Sequence, residues 1–284
     1  MVGGRHAGST EHEITGAVVS VVLITGCSSG FGRAAVLAFA ARGDRVVATM
    51  RNTAKAEGLD AVEGVTVDRL DIVDAESRAG AIARTLDRFG RIDVLVNNAG
   101  VSALGPAEEI PEQVMRDQFE TNFFGPFALM REVLPSMRAN HTGRIVNVTS
   151  IGAIMTSGFY SDYCATKHAL DALSLGMDIE LQQFGIRVAT VVPGGFTTSM
   201  VANLIRTERS DTIYPRFATT LEEYKVRASG KEDLSPVTDA IIAAATDPEP
   251  RARYLVGTGS AEMLRTIVDE GEQVHAFLRA REAG

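Results

Sequence analysis

Short β-branched apolar runs alternate along this chain with longer segments whose apolar residues recur every three to four positions. Ala17 to Ile24, Arg45 to Thr49, Val65 to Leu70, Ile92 to Val96, Arg144 to Thr149 and Ile186 to Val192 read as strands. Most are apolar nearly throughout, as parallel strands covered on both faces are. Between them come helical stretches. One starts near Arg33 and runs to Ala41, and one is capped by Asp74 and runs to Phe89. One starts at Pro111 and continues through Met115, Phe119 and Asn122 to about Arg138, with a kink at Gly125-Pro126. Another follows Tyr160, with Ala165, Ala169, Leu170, Leu173 and Leu181 on its apolar positions. Ser235-Pro236 opens a helix that Asp247-Pro248 ends, Arg253 to Val256 is a seventh strand, and Ala261 to Arg281 is an amphipathic helix. Strands alternating with helices predict an α/β fold: a parallel sheet of about seven strands, helices on both faces, joined by right-handed crossovers.

No linker divides the chain, so residues 17–284 are expected to form a single domain after a disordered extension over residues 1–16. That extension is polar and lacks the apolar core of a signal peptide. The segment at about 199–235 breaks the alternation. It is mixed, with charge clusters and no clear strand, which suits a lid at the ligand edge. Composition leaves this picture unchanged: 45% hydrophobic and 23% charged residues are those of an ordinary globular chain. A net charge of −8 argues against nucleic acid or an anionic membrane as partner. No apolar run reaches membrane-spanning length. Two cysteines, Cys27 and Cys164, form no disulfide framework and suit a reducing cytoplasm. The five histidines have no ligand spacing, so no catalytic metal is expected.

Candidate chemistry lies where strands end, the edge at which open α/β sheets bind ligands. Ser150 closes the fifth strand, and Tyr163 and Lys167, four apart on a helix, share a face. A free phenol titrates at about 10, and a nearby ammonium favours the phenolate. With the Ser150 hydroxyl holding a carbonyl or alcohol oxygen beside the phenol, the pair makes a general acid/base. Taken alone, Tyr-x-x-x-Lys also fits a helix surface pair, and a serine after a strand also fits an N-cap. At the first strand, Thr25-Gly-Cys-Ser-Ser-Gly-Phe-Gly32 forms a strand, glycine turn and helix. Gly26 permits the turn, Gly30 lets the backbone approach a pyrophosphate, and Gly32 lets the helix pack closely on the sheet. The helix N-terminus faces the phosphates.

In order, the glycine loop, Asn97-Asn98-Ala99-Gly100, Asn122, Ser150, Tyr163-x-x-x-Lys167 and Pro193-Gly194 resemble the short-chain dehydrogenase/reductase family over roughly residues 17 to 260. Ser150 stands thirteen residues before Tyr163, as in that family. The glycine loop and Val-Val-Ala-Thr-Met-Arg-Asn are similar to the branch near hydroxysteroid and retinol dehydrogenases. The resemblance implies a single Rossmann-type, doubly wound domain. It implies Tyr163 as acid/base, Lys167 lowering its pKa and holding the nicotinamide ribose, and Ser150 orienting the substrate oxygen. Asn122 would hold a water linking Lys167 to solvent. Ser28, Ser29, Gly30, Phe31 and Gly32 would lie along the pyrophosphate. Asp71 and Ile72 would meet the adenine, Asn98 and Gly100 the adenosine side, and Phe196 and Thr198, after Pro193-Gly194, the carboxamide. Cys27 and Cys164 receive no redox role.

The implied activity is hydride transfer between a nicotinamide cofactor and a carbonyl or alcohol. A dinucleotide-sensing regulator without turnover is the alternative. At the end of the second strand NAD-specific proteins place an acid for the ribose hydroxyls. This chain has Met50 there, followed by Arg51, whose guanidinium forms charge-assisted bonds to phosphate. NADP(H) is therefore expected over NAD(H), although Ser29 stands where some NADP users carry a second basic residue. The residues expected to face the substrate, Leu104, Ile154, Met155, Phe159, Phe196 and Met200, are apolar and favour a hydrophobic ketone or alcohol. Arg206, Arg209 and Arg216 leave an anionic one open. Helices around Met115 to Arg138 and Tyr160 to Phe184 are apolar on more than one face, which predicts a homodimer or homotetramer.

Overall fold

The computed structural model describes residues 19–194, 196, 205–206, 213–228 and 233–257. The expected N-terminal extension, parts of the lid segment (199–204, 207–212 and 229–232) and the terminal helix at 261–281 lie outside the described residues. In chain order the elements are β1 (Val21–Ile24), α1 (Gly30–Ala41), β2 (Arg45–Met50), β3 (Val65–Arg69), α2 (Ala75–Phe89), β4 (Val94–Asn97), β5 (Ala103–Leu104), α3 (Glu112–Phe119), α4 (Gly125–Ala139), β6 (Gly143–Val148), α5 (Ser161–Leu181), β7 (Ile186–Pro193), β8 (Ile205–Arg206), α6 (Pro215–Ala228), α7 (Ser235–Thr246) and β9 (Arg253–Val256). Seven strands form one parallel sheet in the order β3-β2-β1-β4-β6-β7-β9. The order reverses between β1 and β4, and the crevice outside their carboxyl ends is where ligands of such sheets bind.

Strand alternation divides the interior in two. Val22, Ile24, Val46, Ala48, Val94, Val96, Val146 and Val191 point into one core, closed by Val36 and Phe39 of α1 and Val237 and Ile241 of α7. Their neighbours Leu23, Val47, Leu95, Ile145 and Val188 point into the other, closed by Ile82 of α2, Leu129, Met130 and Val133 of α4, and Leu170 and Met177 of α5. Successive strand side chains leave opposite faces, so a strand covered on both sides is apolar at every position. Val22, Leu23 and Ile24 are completely enclosed, each stabilising the fold by about 1.5–3 kcal/mol.

Several local expectations are corrected. Within the described residues β1 begins at Val21 rather than Ala17. The helix after the glycine turn begins at Gly30 rather than near Arg33, with Gly30 entering at φ 57°. As expected, Asp74 caps α2, accepting from the Glu76 amide at 3.0 Å. The expected kink at Gly125-Pro126 is instead a π turn, Glu120–Phe124, that joins α3 to α4. Pro126 has no N–H for the Asn122 carbonyl, so i→i−4 bonding cannot continue there. The chain widens, and the Gly125 amide reaches the Glu120 carbonyl. The lid segment holds regular structure after all: β8, which pairs with β5, and α6. Two-residue pairings are too short to show in a hydrophobic pattern.

Candidate active site

The glycine turn after β1 opens a groove of about 510 Å³ along the switch point. Gly26, Ser28, Ser29, Gly30, Phe31, Arg51, Asp71, Ile72, Asn98 and Gly100 all line it. The turn needs its glycines for measurable reasons. Gly26 has φ 73°, and a Cβ there would stand 2.8 Å from the Ala99 Cα. A Cβ on Gly32 would stand 2.4 Å from the Asn98 Nδ2 and 2.5 Å from the Gly26 carbonyl oxygen. Gly32 is thus a packing glycine beneath the groove and does not line it. Asn98 braces the turn, its Nδ2 donating to the Thr25 carbonyl at 2.8 Å and the Gly26 carbonyl at 3.2 Å. The Thr25 hydroxyl accepts from the Asn98 and Ala99 amides, both at 3.0 Å.

Ser150, Tyr163 and Lys167 come together at the ends of β6 and α5. Tyr163 and Lys167 are both buried, which removes the surface-pair reading. The Lys167 Nζ lies 5.7 Å from the centre of the Tyr163 ring and donates to the Val148 carbonyl at 3.0 Å. Burial pulls the Lys167 ammonium down from 10.5 to about 8. Tyr160 stacks on the Tyr163 ring with centroids 4.5 Å apart and covers it. Ser150 is an N-cap as well as a candidate donor: its Oγ accepts from the Gly152 amide at 3.1 Å, which leaves its O–H hydrogen for an oxygen in front of it. A Cβ built on Gly152 would stand 3.4 Å from the Ser150 Oγ and 3.6 Å from the Tyr163 Cε1, so both groups border one point.

Asn122 sits fully buried in the π turn. Its Oδ1 accepts from the Val101 amide at 2.9 Å, and its Nδ2 donates to the Val101 carbonyl at 2.8 Å and to the Thr166 Oγ1 at 3.0 Å. Both amide hydrogens are spent. The Asn122 side chain is thus a brace between the loop after β4 and α5.

The remaining expected positions divide. Phe196 is half-buried and meets Phe31 edge to face at 5.9 Å, so it borders the groove. Pro193 is the last residue of β7, paired with Val256, and Gly194 continues the pairing through its amide. Met155 and Ile154 are half-buried. Phe159 packs on Tyr214 and on the buried Phe217 of α6, at 6.0 and 5.3 Å. Leu104 is fully buried in β5 and packs within the protein, so its expected place on the substrate wall is corrected. Thr198 and Met200 lie outside the described residues. Burial pushes the Cys27 thiol up to about 12 and the Cys164 thiol upward too, so neither is a ready thiolate.

Lys55 and Ser102 are among the groove residues that sequence reasoning missed. Lys55, in the short turn after β2, lines the groove beside Arg51; its spacing of four from Arg51 was the available signal. Ser102 also lines the groove, and its Oγ is buried with no protein partner among the described residues. A buried hydroxyl costs about 1–3 kcal/mol when unbonded, so a ligand atom at this wall relieves it. The backbone cradle, the two cations and this hydroxyl fit a dinucleotide.

The sequence profile described as short chain dehydrogenase matches residues 20–209. The chain is 33% identical to mouse 17-beta-hydroxysteroid dehydrogenase type 1, over 83% of this chain and 73% of that protein. It is 37% identical to human retinol dehydrogenase 8, over 65% of this chain and 61% of that one. The crystal structure of a short-chain dehydrogenase from Streptomyces avermitilis superposes with a TM-score of 0.81 at 34% identity, covering 95% of this chain and 99% of that one.

Proposed function

This chain belongs to the short-chain dehydrogenase family and is an oxidoreductase, and we propose that it interconverts a hydrophobic ketone or aldehyde and the corresponding alcohol with NADP(H). The observation that carries this reading is the buried Tyr163–Lys167 pair beside the Ser150 hydroxyl. The nicotinamide cofactor supplies the hydride when bound. In reduction the Ser150 O–H donates to the carbonyl oxygen and Tyr163 gives that oxygen its phenolic proton; in oxidation Tyr163 takes the proton back. The Lys167 ammonium beside the ring favours the phenolate. The same pair favours turnover over the dinucleotide-sensing alternative, because a sensor has no use for a buried acid and base. Following loss of NADPH absorbance with a ketone panel tests this. Tyr163→Phe with undiminished turnover would sink the mechanism.

The cofactor preference rests on the end of β2. Met50 is buried and brings no carboxylate against a 2′-phosphate. Arg51 and Lys55 both line the groove, and among the described residues neither is paired with a carboxylate. Two unpaired cations favour the phosphorylated ribose.

Hydrophobic substrates are supported by half-buried Ile154, Met155, Phe159 and Phe196 around the site. The names of the mouse and human relatives, which specify a steroid alcohol and retinol, point the same way. Steroid, retinoid and aromatic ketones should outrun small oxo acids in a panel; the reverse order would overturn the substrate class. Exposed Met115, Phe124 and Ile179 on α3, the π turn and α5 support burial against a second copy, as a homodimer or homotetramer. Light scattering at micromolar concentration should give twice or four times the chain mass, and a monomer would refute the assembly.

A further inference from the structure

We propose that Gln118 and Asp162 form a second positioning bridge for Tyr163, matching the Asn122–Thr166 bridge one helical turn away. The inference rests on Tyr163 being the acid/base. Gln118 and Asn122 are four residues apart, running from α3 into the π turn, and Asp162 and Thr166 are four apart on α5, on either side of Tyr163 in the chain. The two amides do the same work. Asn122 accepts from the Val101 amide and donates to Thr166. Gln118 accepts from the Ala103 amide at 3.0 Å and donates to the Asp162 carboxyl group. Three segments, the strand-like stretch 101–103, the helix of Gln118 and Asn122, and α5, are therefore laced together at two heights.

All four side chains of the lacing are buried, three of them completely. Apolar burial is not directional in itself, so hydrogen bonds add a directional constraint on the rotation and axial position that packing sets. One hydrogen-bonded point still lets α5 pivot. Two points a turn apart fix its axis, and with it the place of the phenol oxygen. The lower bridge also holds α5 at its first turn, where a helix end otherwise frays. The Asp162 Oδ1 is buried without a side-chain partner among the described residues, so the bond from Gln118 is what fixes this carboxyl group from the neighbouring helix. Burial also holds this carboxyl above the usual carboxylate range. Ser102, which lines the groove, lies between Val101 and Ala103, so the two bridges hold that stretch of the groove lining as well as α5.

The test uses the full-length enzyme, its NADPH fluorescence for cofactor affinity, and steady-state ketone reduction. Asp162→Ala should lower kcat about tenfold or more, since small misplacements of a reacting group cost up to about 100-fold, while the NADPH Kd stays within twofold. Asp162→Asn keeps an oxygen for Gln118 to donate to and should stay within threefold of wild type. Gln118→Glu sets carboxyl against carboxyl and should lose activity. Adding Asp162→Asn to it should restore activity, because the introduced amide then donates to the introduced carboxylate. The swap is nearly isosteric, so it decides the matter even if Asp162→Ala fails to fold. The bridge is refuted by an Asp162→Ala enzyme with wild-type kcat, or by a double variant no better than Gln118→Glu alone. It is equally refuted if kcat, cofactor affinity and thermal midpoint fall together, the mark of a merely structural role. A parallel Tyr163→Phe enzyme separates the two readings: if it is inactive while Asp162→Ala is not, only the bridge fails, and if it turns over normally, the acid/base assignment fails and the bridge with it.

Discussion

The groove after β1 and the Tyr163 site lie on one sheet edge but are made of different material. At the β1 end the walls are backbone: a turn at φ 73°, a helix starting at Gly30, and glycines whose missing Cβ atoms leave room for Asn98 and the neighbouring carbonyls. At the α5 end the site is made of side chains, and each is held by another: Tyr163 by Tyr160 and Lys167, Lys167 by the Val148 carbonyl, α5 by Asn122. The first end has a surface that any dinucleotide pyrophosphate fits. The second has a geometry that one reaction needs. Binding and chemistry should accordingly separate under mutation.

The largest effect should come from Tyr163→Phe, which removes the proton and leaves the packing. We expect kcat to fall about 10²–10⁴-fold, with cofactor Kd from fluorescence titration within threefold. Equal losses in both would erase the distinction between the two ends. Gly32→Ala should do the reverse. Its Cβ meets a backbone carbonyl at 2.5 Å, and overpacking of this kind costs about 1–3 kcal/mol. Cofactor affinity should drop roughly 10–100-fold with a lower thermal midpoint, while kcat at saturating cofactor stays close to wild type. Unchanged affinity would mean that the turn has room to spare.

Arg51→Ala sharpens the contrast within the cofactor end. Losing a charge-assisted bond costs about 1.5–3 kcal/mol, so the KM for NADPH should rise tenfold or more and that for NADH within twofold. Adding Lys55→Ala should deepen the NADPH defect. A wild-type enzyme that uses both cofactors equally would show that this wall does not read the 2′-phosphate.

The last effect is a gain in stability. Lys167→Met should abolish turnover yet stabilise the free protein near pH 7. The native Lys167 titrates at about 8 against 10.5 when unfolded, so the folded state disfavours the proton. That penalty is complete below pH 8, on the order of 3 kcal/mol, and shrinks to nothing as pH rises through 10.5. The lost bond to Val148 offsets about 1 kcal/mol of it. Thermal midpoints should therefore favour the variant at pH 7 and converge by pH 10.5. A wild-type protein that is the more stable at pH 7 would show that the ammonium is solvated.

Much of this was legible because the signals are local. An apolar run flanked by turn residues announces a strand covered on both faces, and Val21–Ile24, Gly143–Val148 and Ile186–Pro193 all lie where such runs are. Strand, glycine turn and helix are contiguous, so Gly26, Gly30 and their groove could be placed. The helical repeat alone puts Tyr163 and Lys167 on one face. Asn122 was legible as a site residue, but its bracing bonds were not, because the partners of its amide lie at Val101 and Thr166 in other segments. Leu104 looked like a pocket residue until β8 was seen to pair with its strand.

The sequence by itself determined the elements, their alternation and hence the doubly wound sheet, because backbone propensity and a period of two or 3.6 are properties of neighbours in the chain. Only the tertiary structure decided which neighbours meet across it. The Gln118–Asp162 and Asn122–Thr166 bonds each join residues 44 positions apart, and Lys55 reaches the Arg51 wall through a turn after β2. No local pattern encodes such pairs. They form because the sheet has already set the helices side by side, and a buried amide or carboxyl must then find a partner at the distance the packing allows.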